Sequence, residues 1–200
     1  MSRFNVKAIS KQSFLLGEGP HWCPRTKKLF FVDILGNFVG LLDTEEEEFV
    51  KLFECESSVT SVVPYENDPN KIIFSTNEEV FSFDIVTKEC QTIDKIDVKK
   101  VRFNDGKCDS KGRLWIGTMG IESSPGIVTP DAGTLYKLCD GKFEVMKEKV
   151  SLSNGMCWSH DDKTMFYVDS VKRVIYAFDF NAQNGTIGNC IDFQWLFKLF

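Results

Sequence analysis

The chain has 200 residues, of which 42% are hydrophobic and 13% aromatic, and its 29 acidic and 24 basic side chains give a net charge of −5. Such a chain is long enough to bury at least one sizeable core. The acidic excess argues against nucleic acid or an anionic membrane as the main partner, because both attract concentrated positive charge. No apolar run reaches the length of a membrane helix.

The N-terminus is polar and lacks the apolar segment of a secretory signal. Seven cysteines are scattered singly along the chain, and none belongs to a Cys-x-x-Cys pair. These features predict reduced thiols in a cytoplasmic protein. Only two histidines are present, and this small number argues against a His-rich zinc site or a Ser-His-Asp triad.

Short runs rich in Phe and β-branched residues follow one another along the chain, separated by polar turns. Such runs predict β-strands. No window keeps apolar residues at helical spacing for long, so the sequence predicts an all-β fold. In chain order, the predicted strands cover residues 29–32, 72–74, 80–83, 114–116, 133–136, 165–168 and 174–178.

The strand pattern repeats along the chain. Residues 19–33 and 155–169 align without a gap, each running from a Gly through a polar turn and an aromatic strand to an Asp. Residues 105–118 form a third copy with a shorter turn, and residues 59–76 form a weaker fourth. A period of about 40 to 50 residues in an all-β chain is typical of propeller blades. We therefore predict one domain over residues 1–200, an incomplete β-propeller with about four blades present.

Side chains with oxygen donors occupy one repeat position in three copies. Glu18 and Asn154 each precede the repeat glycine, and the pair Asn104-Asp105 precedes Gly106. Because equivalent positions of successive blades face one central channel, we expect these side chains to converge there. Their oxygens suit Ca²⁺, Mg²⁺ or Mn²⁺ better than a soft metal, although Zn²⁺ also accepts carboxylates. Asn and Asp before Gly are also common turn formers, and this is the role expected for Asp105.

The residues around these positions resemble the regucalcin (senescence marker protein 30)/gluconolactonase family, which includes the insect luciferin-regenerating enzyme. The resemblance extends from about residue 16 to about residue 188. It implies a six-bladed propeller that holds one divalent metal ion, Ca²⁺ first among the candidates, and hydrolyses sugar lactones such as gluconolactone. The matching segments are residues 17–20 (GEGP), 102–107 (RFNDGK), 117–119 (GTM), 153–156 (SNGM), 167–170 (YVDS) and 178–179 (FD).

The same resemblance implies roles for five residues. Glu18 and Asn154 match metal ligands. Arg102 and Asn104 match residues that bind the hydroxyls and carbonyl of the substrate, and Glu122 matches a further substrate contact. A guanidinium and an amide can fix a polyhydroxylated ring, while the metal would polarise the lactone carbonyl and lower the pKa of a bound water. The implied partner is a small sugar lactone.

One expected residue has no counterpart. In the family, a later blade supplies an aspartate that is both a metal ligand and the general base, and it follows an Asp-Gly motif. Asp192 is the nearest candidate but lacks that motif, so no catalytic residue is assigned. The family pattern fades after residue 188, and residues 193–200 crowd large apolar side chains together. We therefore expect a C-terminally truncated chain, and its open blade faces would permit self-association.

Three interpretations stay open at this point. The first is a metal-dependent lactone hydrolase. The second is a Ca²⁺-binding regulatory protein without turnover, although no EF-hand loop supports it, because Ile116 stands where a loop starting at Asp105 needs a Glu. The third is an inactive truncated isoform that lacks the catalytic aspartate.

Overall fold

The computed structural model describes residues 6–97, 99–124 and 126–193. Within these ranges the regular structure is entirely β, with sixteen strands and no helix, so the predicted all-β class is confirmed. The same ranges accordingly contain no helix long and apolar enough to span a bilayer. Most of the apolar stretch at the end of the sequence, residues 194–200, lies outside the described residues.

The strands form four antiparallel sheets of four strands each, arranged as blades 1 to 4 in chain order. Each blade uses four consecutive strands, and the first strand of each lies on the inner side of the propeller-like arrangement. The predicted count of about four blades is confirmed. In chain order the strands are β1 (Gly17–Cys23), β2 (Lys28–Asp33), β3 (Phe38–Asp43), β4 (Glu48–Glu54), β5 (Ser61–Pro64), β6 (Lys71–Ser75), β7 (Glu79–Asp84), β8 (Cys90–Lys95), β9 (Val101–Cys108), β10 (Leu114–Gly120), β11 (Gly133–Cys139), β12 (Lys142–Val150), β13 (Ser153–Trp158), β14 (Thr164–Asp169), β15 (Val174–Asn181) and β16 (Thr186–Phe193).

The seven predicted strand segments all lie within observed strands, one in blade 1 and two in each of the other three blades. The outermost strands β4, β8, β12 and β16 are among those that the segments do not cover. Because an outer strand packs little against neighbouring blades, it keeps polar residues at most positions, as in the exposed start of β8. Its apolar pattern is therefore too weak to identify it.

Apolar clusters between successive blades hold the blades together. Trp115 of blade 3 packs edge-on against Trp158 and Phe180 of blade 4, with ring centroids 6.1 and 5.9 Å away. Between blades 1 and 2, the rings of Phe53 and Phe83 are 4.7 Å apart. Each such aromatic pair contributes about 0.5–1.5 kcal/mol beyond the burial of its surface.

Two cations of blade 3 bind the backbone turn between β15 and β16 of blade 4. Arg113 donates from Nη2 to the Ala182 carbonyl at 2.6 Å, while its Nε pairs with buried Asp109 at 2.7 Å. Buried Lys137 donates to the Gly185 carbonyl at 3.0 Å. These contacts position blade 4 relative to blade 3 in addition to the apolar packing.

The N-terminal segment covers the face of blade 1 that points away from blade 2. Phe14 packs edge-on against Phe31 and Phe49, with ring centroids 4.8 and 5.3 Å away. Ile9 contributes to the same cluster, together with Phe38. Part of one face that we expected to be open is therefore covered by this chain itself.

Gly117 on β10 provides a test of how closely blades 3 and 4 pack. A Cβ at this position would overlap the Ser153 side chain and lie 2.9 Å from the Tyr167 hydroxyl. We therefore expect Gly117→Ala to lower the free energy of unfolding by about 1–3 kcal/mol, measured by urea denaturation. Gly188→Ala is the matched control, because the nearest atom to its Cβ would be 3.5 Å away. Equal stability of the two variants would contradict this packing.

Candidate functional site

A cavity of about 150 Å³, here called the axial cavity, opens among the inner strands of the blades. It brings together residues that are far apart in sequence. They belong to β1, β9, β13 and the segment after β10. All five residues singled out in the sequence line it. Its polar lining includes Glu18, Arg102, Asn104, Asp105, Glu122 and Asn154, with Leu16, Ile34, Met119 and Leu152 among its apolar walls.

A β-bulge interrupts the inner strand of three blades at the same place. The pairing register shifts just after Glu18 on β1 and just after Asn154 on β13, and β9 shifts around Asn104 opposite β10. Gly19 and Gly155 have φ values of +54° and +42°, which glycine adopts at little cost. Since a bulge redirects the adjacent side chain, the repeated Gly serves to position the oxygen donor before it.

Blade 2 differs from the other three at this position. Its inner strand β5 pairs with β6 without a register shift. The residue at the register position of Glu18 and Asn154 is Val62, which lies opposite Phe74 as those two lie opposite Val32 and Val168, and it is buried. Blade 2 thus supplies no carboxylate or amide, and Thr60 is its contribution to the axial cavity.

Two buried aspartates hold the backbone that leads into the site strands. Asp33, at the end of β2, accepts hydrogen bonds from the amides of residues 15 and 16 at 2.8 and 2.9 Å. Asp169, at the end of β14, accepts from residues 151 and 152 at 2.8 and 3.2 Å. These contacts fix the chain just before Glu18 and just before Asn154. The repeat pattern in the sequence includes both aspartates, but it gave no indication that they accept hydrogen bonds from these backbone amides.

The side chains of the axial cavity form a hydrogen-bonded chain. Asn104 donates from Nδ2 to the Ser153 carbonyl at 2.8 Å and to Asn154 Oδ1 at 3.2 Å. Asn154 donates in turn to the Ser170 hydroxyl at 3.0 Å. Arg102 donates from Nη1 to Asn104 Oδ1 at 2.9 Å. Both amide orientations are therefore determined by neighbours on two different blades.

Arg102 and Glu122 form the polar rim of the cavity. Arg102 Nη2 lies 3.8 Å from Glu122 Oε2, and the other oxygen of Glu122 accepts from the Gly126 amide at 2.9 Å. Burial lowers the pKa of Arg102, and the charge of Glu122 opposes that shift. The guanidinium is thus a partly buried cation in the wall of the cavity, beside the carboxylate of Glu122.

Asp105 lies within β9 at the bulge, so the expectation that it forms a turn is wrong. Its Oδ1 accepts a hydrogen bond from the Gly106 amide at 2.9 Å. Burial raises the pKa of Asp105, and the negative charge of Glu18 raises it further, against the hydrogen bond from Gly106. Two carboxylates therefore face one confined space.

This donor set fits a hard divalent cation. The carboxylates of Glu18 and Asp105 repel each other unless a positive charge lies between them, and Asn154 adds an amide at the same cavity. The described residues contain no cluster of three or more His, Cys, Asp or Glu side chains arranged for a metal. Any ion held here would accordingly need amide, backbone or water oxygens as well as carboxylates.

A second cavity of about 200 Å³ continues from the axial cavity along the inner strands. Glu18 and Asp105 line both spaces, and His21, Lys107 and Met156 belong to the second. Burial lowers the pKa of His21, and the charge of Lys107 lowers it further. The two cavities therefore meet at Glu18 and Asp105, and the second adds one cation, Lys107.

Fold and cavity together define a β-propeller with oxygen donors from several blades around its central passage. Residues 16–197 match the family described as "SMP-30/Gluconolactonase/LRE-like region". The chain belongs to this family, and the resemblance noted in the sequence is confirmed.

Individual relatives agree with this assignment. Regucalcin of Gallus gallus is 34% identical over 194 residues, an alignment that covers 94% of this chain and 63% of regucalcin. A solved structure of luciferin-regenerating enzyme superposes with a TM-score of 0.82 at 30% identity, covering 90% of this chain and 60% of that one. Regucalcin from Agrobacterium tumefaciens, at 23% identity and a TM-score of 0.82, shares the fold over 92% of this chain and 60% of its own. The chain thus spans about three-fifths of the length of these relatives.

The role assigned to Asp169 can be tested by removing its carboxylate. Asp169→Ala leaves the buried amides of Ser151 and Leu152 without an acceptor, which should lower the free energy of unfolding by about 1–3 kcal/mol per unpaired group. Asp179→Ala is the control, since that carboxylate is exposed and accepts from the Asn189 side chain. Urea denaturation measures both, and a loss in Asp169→Ala no larger than in the control would refute the role.

Proposed function

We propose that this protein takes part in the divalent-metal-dependent hydrolysis of sugar lactones, a gluconolactonase-like reaction. The observation that carries the proposal is the convergence of Glu18, Arg102, Asn104, Glu122 and Asn154 on one cavity from three separate blades. The family description, which names gluconolactonase, supports a lactone as the substrate class.

Glu18 and Asn154 are the proposed metal ligands. Each lies just after a backbone segment whose amides donate to a buried aspartate, Asp33 or Asp169, and each immediately precedes a bulge. Oxygen donors of this kind favour Ca²⁺, with Zn²⁺, Mn²⁺ and Mg²⁺ as competitors. A bound divalent cation would supply Lewis acidity toward the lactone carbonyl.

Arg102, Asn104 and Glu122 are the proposed substrate-binding residues. Arg102 retains donors beyond the one that Asn104 accepts, so it can bind a carbonyl or ring hydroxyl oxygen. Glu122 accepts hydrogen bonds and can orient a hydroxyl at the mouth of the cavity. Since Arg102 is held by Asn104, and Asn104 in turn by Ser153 and Asn154 of blade 4, both would bind the sugar with little reorganisation.

No residue of this chain is proposed as the general base. Asp192 lies on β16, the outermost strand of blade 4, where it pairs with Tyr176. The proposed ligands, in contrast, lie on the inner strands β1 and β13 at the opposite edge of their sheets. We propose that the active form is a six-bladed ring in which a further blade supplies the remaining aspartate, and that the protein is cytoplasmic.

Metal binding is the first test of the proposal. Titration of Ca²⁺ into the metal-free protein, followed by calorimetry, should show one site, and Glu18→Gln should weaken it at least tenfold because a charged ligand is lost. Glu148→Gln is the matched control, as Glu148 is exposed on β12 away from the cavity. Unchanged affinity in Glu18→Gln would refute the proposed ligand.

Turnover is tested separately. Glucono-1,5-lactone hydrolysis, followed by proton release, should be abolished by EDTA and strongly reduced by Glu18→Gln. Full activity in Glu18→Gln would exclude the lactonase proposal.

A longer form that includes the missing aspartate should hydrolyse the lactone much faster than the 200-residue chain, and equal rates would contradict the proposed general base. Ca²⁺ binding without turnover in every form would instead favour a regulatory calcium-binding protein.

A further inference from the structure

We propose that, in the 200-residue chain, residues 194–200 cover the face of blade 4 that points away from blade 3, here called the outer face. In the proposed six-bladed ring a further blade would take this place. The outer face is separate from the axial cavity, so the proposal does not rest on the proposed function.

The outer face is apolar across all four strands of blade 4. Residues paired directly across antiparallel strands share one face of the sheet, whereas their neighbours in sequence point to the other face. Met156, Met165 and Tyr176 belong to the apolar cluster between blades 3 and 4, so the residues next to them face outward. Two rows of paired residues form the outer face: Cys157–Phe166–Ala177–Ile191 and Val168–Ile175.

Most side chains of the outer face keep apolar surface accessible to water. Ile191 is 64% exposed, Cys157 is exposed, and Phe166, Val168 and Ile175 are partly exposed. Within the part of the chain that the structure describes, none of the apolar clusters includes any of them. Removal of this surface from water would be favourable, and a contiguous apolar surface of this kind indicates a binding partner.

Residues 194–200 have the composition and the starting point that such a cover needs. The segment directly follows Phe193 of β16, and Phe193 pairs with Ile175 of the outer face. It therefore begins at the edge of the surface that it would cover. Five of its seven residues are large and apolar, namely Trp195, Leu196, Phe197, Leu199 and Phe200.

The length of the segment is sufficient to cross the sheet. Four strands spaced about 4.8 Å apart span about 14 Å, and seven extended residues at about 3.3 Å each reach about 23 Å. The segment can therefore extend from β16 to β13 over both rows of apolar side chains.

Blade 1 is a precedent within the same molecule. Its face that points away from blade 2 is covered by the irregular N-terminal segment, in which Phe14 lies 4.8 Å from the ring of Phe31 and Ile9 joins the same cluster. An apolar segment outside the sheets thus covers a blade face there. The proposal assigns the same role to residues 194–200 on blade 4.

Two exposed cysteines of blade 4 allow a direct test. Cys157 lies on the outer face, whereas Cys190 of β16 pairs with Phe178 and therefore lies on the face toward blade 3. The experiment labels the native protein with a maleimide and measures the rate at each cysteine by mass spectrometry.

The test variant is the triple substitution Trp195→Ser/Phe197→Ser/Leu199→Ser, at positions that share one side of an extended segment. Cys157 should react at least about tenfold faster in this variant than in wild type, because the reagent reaches a covered thiol only when the cover opens. Cys190 should react at the same rate in both. Gln194→Ser/Lys198→Ser is the matched control on polar positions of the same segment, and Cys157 should keep its wild-type rate there.

Several outcomes overturn the proposal. One is an equal rate at Cys157 in wild type and the triple variant. Another is a wild-type rate at Cys157 that falls as the protein concentration rises, since a second copy then covers the face. A third is protection of Cys157 only in a longer form, which assigns the face to a further blade. Where the triple variant does not fold, Trp195→Ser and Phe197→Ser decide singly, each with an expected intermediate rate at Cys157 and a wild-type rate overturning the proposal.

Discussion

The β-bulge in the inner strands of blades 1, 3 and 4 is the constraint on which the candidate site depends. In a regular strand, successive side chains alternate between the two faces of the sheet, and both faces of a blade are packed against other apolar groups. The extra residue of the bulge turns the local backbone, so that Glu18, Asn104 and Asn154 line the axial cavity. Blade 2 is an internal comparison, because its inner strand has no bulge and Val62, at the register position of Glu18 and Asn154, is buried.

A bulged strand leaves backbone amides that need acceptors, and acidic side chains supply them here. Asp33 and Asp169 accept from amides just before the bulges of β1 and β13, and Asp105 accepts from the Gly106 amide at the bulge of β9. Much of the negative charge near the central passage thus supports the backbone. Glu18 is different, since it lines the cavity with no hydrogen bond to the protein among those found in the described residues.

The sequence predicted the features that depend on local pattern and repeat position. Middle strands such as β2 and β14 have no fully exposed position, so their apolar runs are continuous and easy to identify. The repeat then indicated which side chains share a channel. The outer strands were not predicted because their side chains pack little against neighbouring blades. Asp105 was misassigned because Asn-Asp-Gly is also a turn sequence. The inter-blade hydrogen bonds could not be predicted, because they depend on how separate sheets dock.

The separation of the site residues along the chain has a consequence for folding. Each blade is a series of hairpins whose contacts are close in sequence, whereas the hydrogen bond from Asn104 to Asn154 joins residues 50 positions apart. Local hairpins form readily, while contacts between distant segments must first overcome the entropy of closing the intervening chain. The cavity therefore exists only in molecules whose blades have docked. A ligand that binds there favours the docked state by mass action, so the free concentration of that ligand becomes a thermodynamic control on the assembly of the propeller itself.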